Sequence, residues 1–334
     1  MPLAVETFDI RKTFGELTAV NDISIQINEG EFFGFLGPNG AGKSTLIRML
    51  TTVLRPASGT AKVGGHDITK EPEEVRRSIG VVTQNMASDL DLTARENMDI
   101  FGKFYEVPKK ARQERVSELL ERVGLAKKAD ELAATFSGGM RRRLDIARVL
   151  VHKPEILFLD EPTSGLDPQS RRVVWDMLRD FMKDYSMTIF LTTHYMEEAE
   201  ALCTRVAIID HGSVIAMGTP DELKSGIPGN DIVILSLSRE QEKVRNLAAA
   251  EGYVHKAQLE NGDLRCYVDN GSEDAPRLMK LATDSGAEVK SVSIQKLSLE
   301  DVFIHYTGRS IREEESRKVS LFLGAGIPTK LGRN

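Results

Sequence analysis

The strongest chemical signal in the chain is Gly37-Pro38-Asn39-Gly40-Ala41-Gly42-Lys43-Ser44-Thr45. Glycine, four residues, then Gly-Lys-Ser is the spacing of a phosphate-binding loop (P-loop). Small residues at Gly37, Asn39, Gly40, Ala41 and Gly42 let successive backbone N–H groups turn inward around phosphate oxygens. A helix that starts where the loop ends, at Ser44 and Thr45, adds the positive end of its dipole. Lys43 can reach the β- and γ-phosphates of a nucleotide, and the Ser44 hydroxyl can ligate Mg2+.

A second signal is Ile156-Leu157-Phe158-Leu159-Asp160-Glu161, an apolar strand ending in two acids. Asp160 at the strand end is placed to hold Mg2+, directly or through water. Glu161 is free to act on a water molecule as a general base. An apolar run before Asp-Glu is common by itself. Beside a phosphate loop it reads as the second half of a nucleotide site.

The elements around these residues must present them. Residues 32–36 form a continuous apolar run, as in a strand buried on both faces, and feed the loop directly. Residues 46–50 follow as helix. Residues 23–27 alternate apolar and polar side chains and predict a half-buried strand. From 93 to 151 the pattern is mostly helical. Val116, Leu119, Leu120 and Val123 share one apolar face, stopped by Gly124. The run Arg141-Arg142-Arg143 reads as one face of a helix. Strands return at 156–159, 188–191 and 206–209, with a helix over 171–182. This alternation predicts an α/β domain with a mostly parallel sheet covered on both faces.

Turn formers at 226–230 precede a different pattern. It runs strand 231–236, helix 240–251, strands 253–259 and 264–268, helix 275–283, strand 287–294 and helix 298–306. The core order β-α-β-β-α-β is ferredoxin-like. The expected organisation is a nucleotide-binding domain over 1–225, a linker at 226–230, a small α+β domain over 231–308 and a loosely ordered tail at 309–334.

Bulk properties exclude several classes. With 334 residues there is chain for about two domains. Hydrophobic residues at 41% and charged residues at 28% are ordinary globular usage, which excludes wholesale disorder. No apolar run approaches the roughly 18–20 residues of a membrane-spanning helix. Residues 1–10 lack the pattern of a secretory signal. A net charge of −6 argues against nucleic acid as a partner. Cys203 and Cys266 fit no metal or disulfide framework and suit a reducing compartment.

Phe136-Ser137-Gly138-Gly139-Met140, followed by Arg141-Arg142-Arg143-Leu144, resembles the signature motif of ABC ATPases, usually Leu-Ser-Gly-Gly-Gln. Only Ser-Gly-Gly matches the common form, and those are the residues that meet phosphate. Ser137 caps a helix whose free N–H groups can face an anion, and Gly138 and Gly139 allow close approach. Gln84, after Ile79-Gly80-Val81-Val82-Thr83, is similar to the family's Q-loop glutamine, a contact to Mg2+ and to the transport partner. Ser164-Gly165-Leu166-Asp167 resembles the D-loop. His194, after Leu191-Thr192-Thr193, resembles the switch histidine that contacts the γ-phosphate. Phe14 stands where the family has an aromatic that stacks on adenine. This resemblance spans residues 3–225. The signature region, together with Ser298-Leu299-Glu300-Asp301-Val302-Phe303 and Thr307-Gly308-Arg309, resembles daunorubicin-resistance-type ATP-binding subunits of ABC-2-type exporters.

The resemblance implies a P-loop NTPase fold of ABC type, with a mixed sheet core and antiparallel β and helical subdomains, then the small ferredoxin-like domain. It implies ATP hydrolysis with Mg2+ and two subunits, identical or different, arranged head to tail around two ATP. Lys43, Gln84, Glu161 and His194 would be catalytic. Ser44, Gln84 and Asp160 would hold Mg2+. Phe14 and the loop would bind ATP, and Ser137, Gly138, Gly139 and Asp167 would complete the site from the partner. A separate ABC-2-type membrane permease is implied, with this chain cytoplasmic and peripheral on the inner face of the membrane, exporting a drug-like, lipid or other hydrophobic compound. The alternatives are a non-transport ABC ATPase and an importer ATPase with a regulatory C-terminal domain.

Overall fold

The computed structural model describes residues 2–260 and 262–307, so the tail expected at 309–334 lies outside the described residues. The first unit opens with β1 (Leu3–Phe14), β2 (Leu17–Ile23) and β3 (Gln26–Asn28). Strand β4 (Phe32–Leu36) leads through the phosphate loop into α1 (Lys43–Leu50). Next come β5 (Ser58–Val63), β6 (His66–Asp67), α2 (Pro72–Ser78) and β7 (Ile79–Val82). Helices α3 (Ala94–Phe104), α4 (Lys109–Arg122) and α5 (Gly138–Val149) follow. The chain re-enters the sheet as β8 (Ile156–Asp160) and crosses by α6 (Pro168–Tyr185) to β9 (Thr188–Thr193). It ends with α7 (Met196–Leu202), β10 (Arg205–Asp210) and β11 (Ser213–Gly218).

Two sheets result. One runs β2-β1-β5-β6, with β3 also on β1, and its pairings are antiparallel. The other runs β11-β10-β4-β9-β8-β7, and β10, β4, β9, β8 and β7 are parallel. Every residue of β4, β8 and β9 is buried, as continuous apolar runs demand of strands covered on both faces. Phe190 sits at the centre, with ring centroids 5.7, 5.8 and 5.4 Å from those of Phe33, Phe35 and Phe158. Such tilted pairs each add about 0.5–1.5 kcal/mol beyond area burial. They fix the three strands whose carboxyl ends carry the chemistry.

The strand expected at 23–27 is broken. β2 stops at Ile23 and β3 starts at Gln26. Asp22 has φ +48, which bends the chain. Thr7 bridges the gap: its hydroxyl donates to Ile23 O at 2.9 Å and accepts from Ile25 N at 2.8 Å. The alternation survives, with Ile23, Ile25 and Ile27 all buried. The hairpin β10–β11 turns through His211 and Gly212, both at positive φ, a signal the sequence reading passed over.

The chain divides between Met217 and Gly218. The second unit holds α8 (Pro220–Ser225), β12 (Asp231–Leu237), α9 (Gln241–Ala249), β13 (Val254–Glu260), β14 (Asp263–Val268), α10 (Gly271–Asp284), β15 (Val289–Lys296) and α11 (Leu299–Thr307). The division falls before the expected 225, because α8 packs on α11 within the second unit and buries Leu223. The sheet order β13-β14-β12-β15, antiparallel throughout, is the ferredoxin-like arrangement. Its core joins Val233, Leu235, Leu264 and Cys266 to Val244 and Leu278 of the two helices.

Candidate active site

Four neighbouring parallel strands, β4, β9, β8 and β7, end on the same edge of the sheet, the usual place for a ligand in an open α/β fold. β4 delivers the loop. Gly40 and Gly42 stand at φ +87 and +108, and a Cβ on Gly42 would collide with the Ala19 carbonyl. Gly37 is equally confined, because its Cβ would meet Ile209 O. Ala41 N donates to Pro38 O at 3.2 Å and Leu46 N to Gly42 O at 3.0 Å, so the loop runs straight into α1 with Thr45 in its first turn. Asn39 and Gly40 are exposed at the crest.

Behind the loop the charged groups converge. Lys43, 4% exposed, donates to Gly37 O at 2.7 Å and Pro38 O at 3.1 Å, and its Nζ lies 3.1 Å from Glu161 Oε1. Ser44 Oγ donates to Asp160 Oδ1 at 3.0 Å. Thr192 Oγ1 donates to the same oxygen at 2.7 Å. Glu161 adopts φ +48, outside the strand region, and its amide donates to Thr192 O at 3.0 Å. That turn directs its carboxylate toward β7 and the end of β9. There Glu161 Oε2 lies 3.1 Å from His194 Nδ1 and accepts from Gln84 Nε2 at 3.3 Å. Burial works to raise the Glu161 carboxyl, but the His194 hydrogen bond and the Lys43 ammonium outweigh it and hold the group below its ordinary value. An ionised carboxylate beside a phosphate loop is a proton acceptor ready for use.

Lys43, Ser44, Gln84, Asp160, Glu161 and His194 thus form one connected cluster. Gln84 joins it through Glu161, to which its Nε2 donates. A second group caps two helix starts, outside this hydrogen-bonded cluster. Ser137 caps α5, accepting from Met140 N at 3.3 Å, and is exposed. Asp167 caps α6, accepting from Ser170 N at 2.9 Å, and the Ser170 hydroxyl holds its carboxyl below the usual range. The two helix starts touch: a Cβ on Gly139 would come within 2.7 Å of Ser170 Oγ, and one on Gly138 would lie 3.8 Å from Leu166. Phe14 belongs to neither group. It is 49% exposed beside the tight turn to Leu17, with Lys12 Nζ 5.4 Å from its ring centre.

The sequence reading missed Thr192 and misread the arginine run. Consecutive helical residues diverge by about 100°, so three arginines cannot share one face. Arg142 turns inward and is 1% exposed. Its Nη1 donates to Thr83 O at 2.8 Å and its Nη2 to Gln84 O at 2.7 Å. Asp145, one turn on, accepts from Ala87 N and from the Ser88 hydroxyl, and Arg148 donates to Ala87 O at 2.7 Å. Helix α5 therefore grips residues 83–88, and the glutamine segment is fastened to the helix that Ser137 caps. Removing the guanidinium takes the donors from both carbonyls and empties the space that this fully buried side chain fills. Arg142→Ala is expected to cost about 3 kcal/mol, seen as a fall of roughly 6–12 °C in Tm. ATP turnover should fall with it as Gln84 loses its anchor. A thermal melt within a degree of the parent would contradict this.

Known proteins bear on this geometry. The family described as ABC transporter matches residues 20–164, and the ATP-binding protein DrrA1-3-like C-terminal domain matches 218–307. The daunorubicin/doxorubicin resistance ATP-binding protein DrrA of Streptomyces peucetius is 42% identical over 95% of this chain and 96% of its own. The chain belongs to the ABC transporter ATP-binding proteins. As an ABC ATPase it binds and hydrolyses ATP. This ABC ATPase is also 39% identical to the linearmycin resistance ATP-binding protein LnrL of Bacillus subtilis (strain 168), over 91% and 98% of the two chains. It is 38% identical to the Nod factor export ATP-binding protein I of Cupriavidus pinatubonensis, over 92% of each. Among solved structures, CbiO1 of Clostridium perfringens, part of an ABC transporter complex, aligns with TM-score 0.63 and 27% identity over 75% of this chain and 96% of its own. A dimeric ATP-binding cassette in a post-hydrolysis state with ADP and Pi aligns with TM-score 0.59 and 27% identity, over 64% and 98%.

Proposed function

We propose that this ABC ATPase is the motor of an exporter, in which two copies close around two ATP and drive a separate ABC-2-type permease at the inner face of the cell membrane. The observation that carries the reading is the split of the phosphate-facing groups into two sets. Lys43, Ser44, Gln84, Asp160, Glu161 and His194 make one, and Ser137, Gly138, Gly139 and Asp167 make the other. A head-to-tail partner brings its second set onto the ATP held by the first. ATP is then part of the interface, so binding favours closure and hydrolysis releases it. That one structural relative is a dimeric ATP-binding cassette supports the pairing of two copies.

In each site, phosphate oxygens compete with Glu161 for the Lys43 ammonium. Glu161 takes the proton of the attacking water, while the His194 and Gln84 contacts fix the direction of its carboxylate. His194 also faces the γ-phosphate. The Ser44 hydroxyl and Asp160, 3.0 Å apart, suit Mg2+, which takes few protein oxygens and fills its shell with phosphate and water. When bound, Mg2+ neutralises charge on the transferring phosphate.

The three named relatives are resistance and export proteins, which favours outward transport of a drug-like, lipid or other hydrophobic compound. Among the described residues no helix is long and apolar enough to cross a membrane, so the path for cargo lies in the partner. Residues 85–92, after Gln84, carry exposed Met86 and Leu90, and α3 adds exposed Phe104, an apolar surface suited to a permease. Affinity capture of the tagged chain from detergent-solubilised membranes is expected to bring down a polytopic membrane protein and no substrate-binding protein. Stimulation of the captured ATPase by an amphipathic compound would identify the cargo. Capture of ribosomes, or of an importer's binding protein, would overturn the export reading.

A further inference from the structure

Glu198 takes no part in the chemistry above, yet none of its surface is exposed. It lies on α7, the helix that follows His194. Its Oε1 accepts from Thr163 Oγ1 at 2.8 Å and from Trp175 Nε1 at 2.9 Å. Thr163 is also fully buried and stands two residues beyond Glu161. The turn between Glu161 and Asp167 is held by Ser164 N on Glu161 O and Leu166 N on Thr163 O, both at 3.2 Å. Trp175 lies on α6, the helix that Asp167 caps, and is the chain's single tryptophan. One carboxyl oxygen therefore joins the turn bearing Glu161, the helix behind Asp167 and the helix behind His194.

We propose that Glu198 is a positioning residue of ATP hydrolysis, locking the Glu161–Asp167 turn, α6 and the His194 segment into one body so that base, switch histidine and interface aspartate move together. Burial holds the Glu198 carboxyl above its ordinary value, against the hydrogen bonds from Thr163 and Trp175. An apolar side chain of similar volume would fill this space at lower desolvation cost. What the acid adds is a directed acceptor for two donors on different elements. The inference rests on the assignment of Glu161 and His194 to hydrolysis.

Two replacements separate the acceptor from the volume. Glu198→Leu keeps the bulk and removes the acceptor. Its kcat is expected to fall ~10-fold or more, with KM for ATP within about twofold of the parent. Glu198→Gln keeps a carbonyl oxygen for both donors and should recover kcat to within about threefold. Thr163→Val removes one of the two bonds with little change of shape. It tests the same link should the leucine variant fail to fold, with an expected loss of about 3–10-fold in kcat. Trp175 emission gives a readout independent of turnover. ATP should shift it in the parent and in Glu198→Gln, and the shift should vanish in Glu198→Leu. Parent-like kcat in Glu198→Leu, equal damage in the two Glu198 variants, or parent emission indifferent to ATP would each overturn the proposal. If instead Glu161→Gln hydrolysed ATP normally, the role of Glu161 would fail, while the emission measurements would still decide the link through Glu198.

Discussion

Glu161→Gln is expected to bind ATP about as well as the parent and to lose turnover by roughly 10²–10⁴-fold. The amide has nearly the same shape and cannot accept the proton of the attacking water. Binding persists because the loop and Lys43 do not depend on the carboxylate for their place: Lys43 keeps its bonds to Gly37 O and Pro38 O. The charge state supports the size of the effect. His194 and Lys43 hold Glu161 below the ordinary carboxylate value against the effect of burial, so the base is ionised throughout the neutral range. The same shift has a sign for stability. A carboxyl whose folded value is depressed stabilises the fold above its unfolded value, and that contribution disappears as pH falls through the folded value. Glu161→Gln should therefore flatten the acid limb of the stability profile as well as abolish turnover. The measurement is steady-state phosphate release beside equilibrium nucleotide binding. Near-parent release from a variant that binds ATP would remove Glu161 from the role of base.

Residues whose placement follows from local chain geometry were legible in the sequence. Lys43 and Ser44 sit on a strand–loop–helix unit that the glycines and the apolar run before them specify without help from the rest of the chain. Asp160 is similar, an acid at the end of a strand too apolar to lie anywhere but the sheet. The ferredoxin-like unit was legible because its strands and helices alternate with clear periods. Thr192, Arg142 and Glu198 were not, and the reason is common to all three. Their roles depend on which atoms of distant segments face them. Threonine in Thr188–Thr193 looks like a β-former, and only the parallel pairing of β9 with β8 puts its hydroxyl on Asp160. Arg142 sits between two other arginines, and its burial is decided by carbonyls of residues 83 and 84 on another element. Glu198 lies in Glu197-Glu198-Ala199-Glu200, which reads as a solvated acidic stretch. It turns inward because Thr163 and Trp175 supply donors there. The break at 24–25 has the same origin, since the hydroxyl of Thr7 takes over the pairing.

Ser137→Arg is expected to abolish ATP-dependent dimerisation while leaving ATP bound to the single chain. It is best measured in the Glu161→Gln background, where bound ATP persists. Light scattering should show the mass double from 37.0 kDa on adding ATP with Ser137 intact, and stay at 37.0 kDa with arginine there. Fold damage does not account for such a loss. Ser137 is exposed, and its cap on Met140 N contributes about 1 kcal/mol, too little to unfold the domain. The argument is one of space. Ser137 and Gly138 present a helix N-terminus with little side chain in front of it, so a phosphate oxygen can approach the backbone N–H groups to about 3 Å. An arginine side chain is several ångströms long and must occupy that gap, holding the two surfaces apart whatever attraction its charge adds. Ser137→Ala separates the two effects: it removes the hydroxyl, leaves the gap open and should weaken the dimer without preventing it. If the arginine variant dimerised as well as its parent, Ser137 would not face the nucleotide of a partner, and the second set of residues would need another purpose.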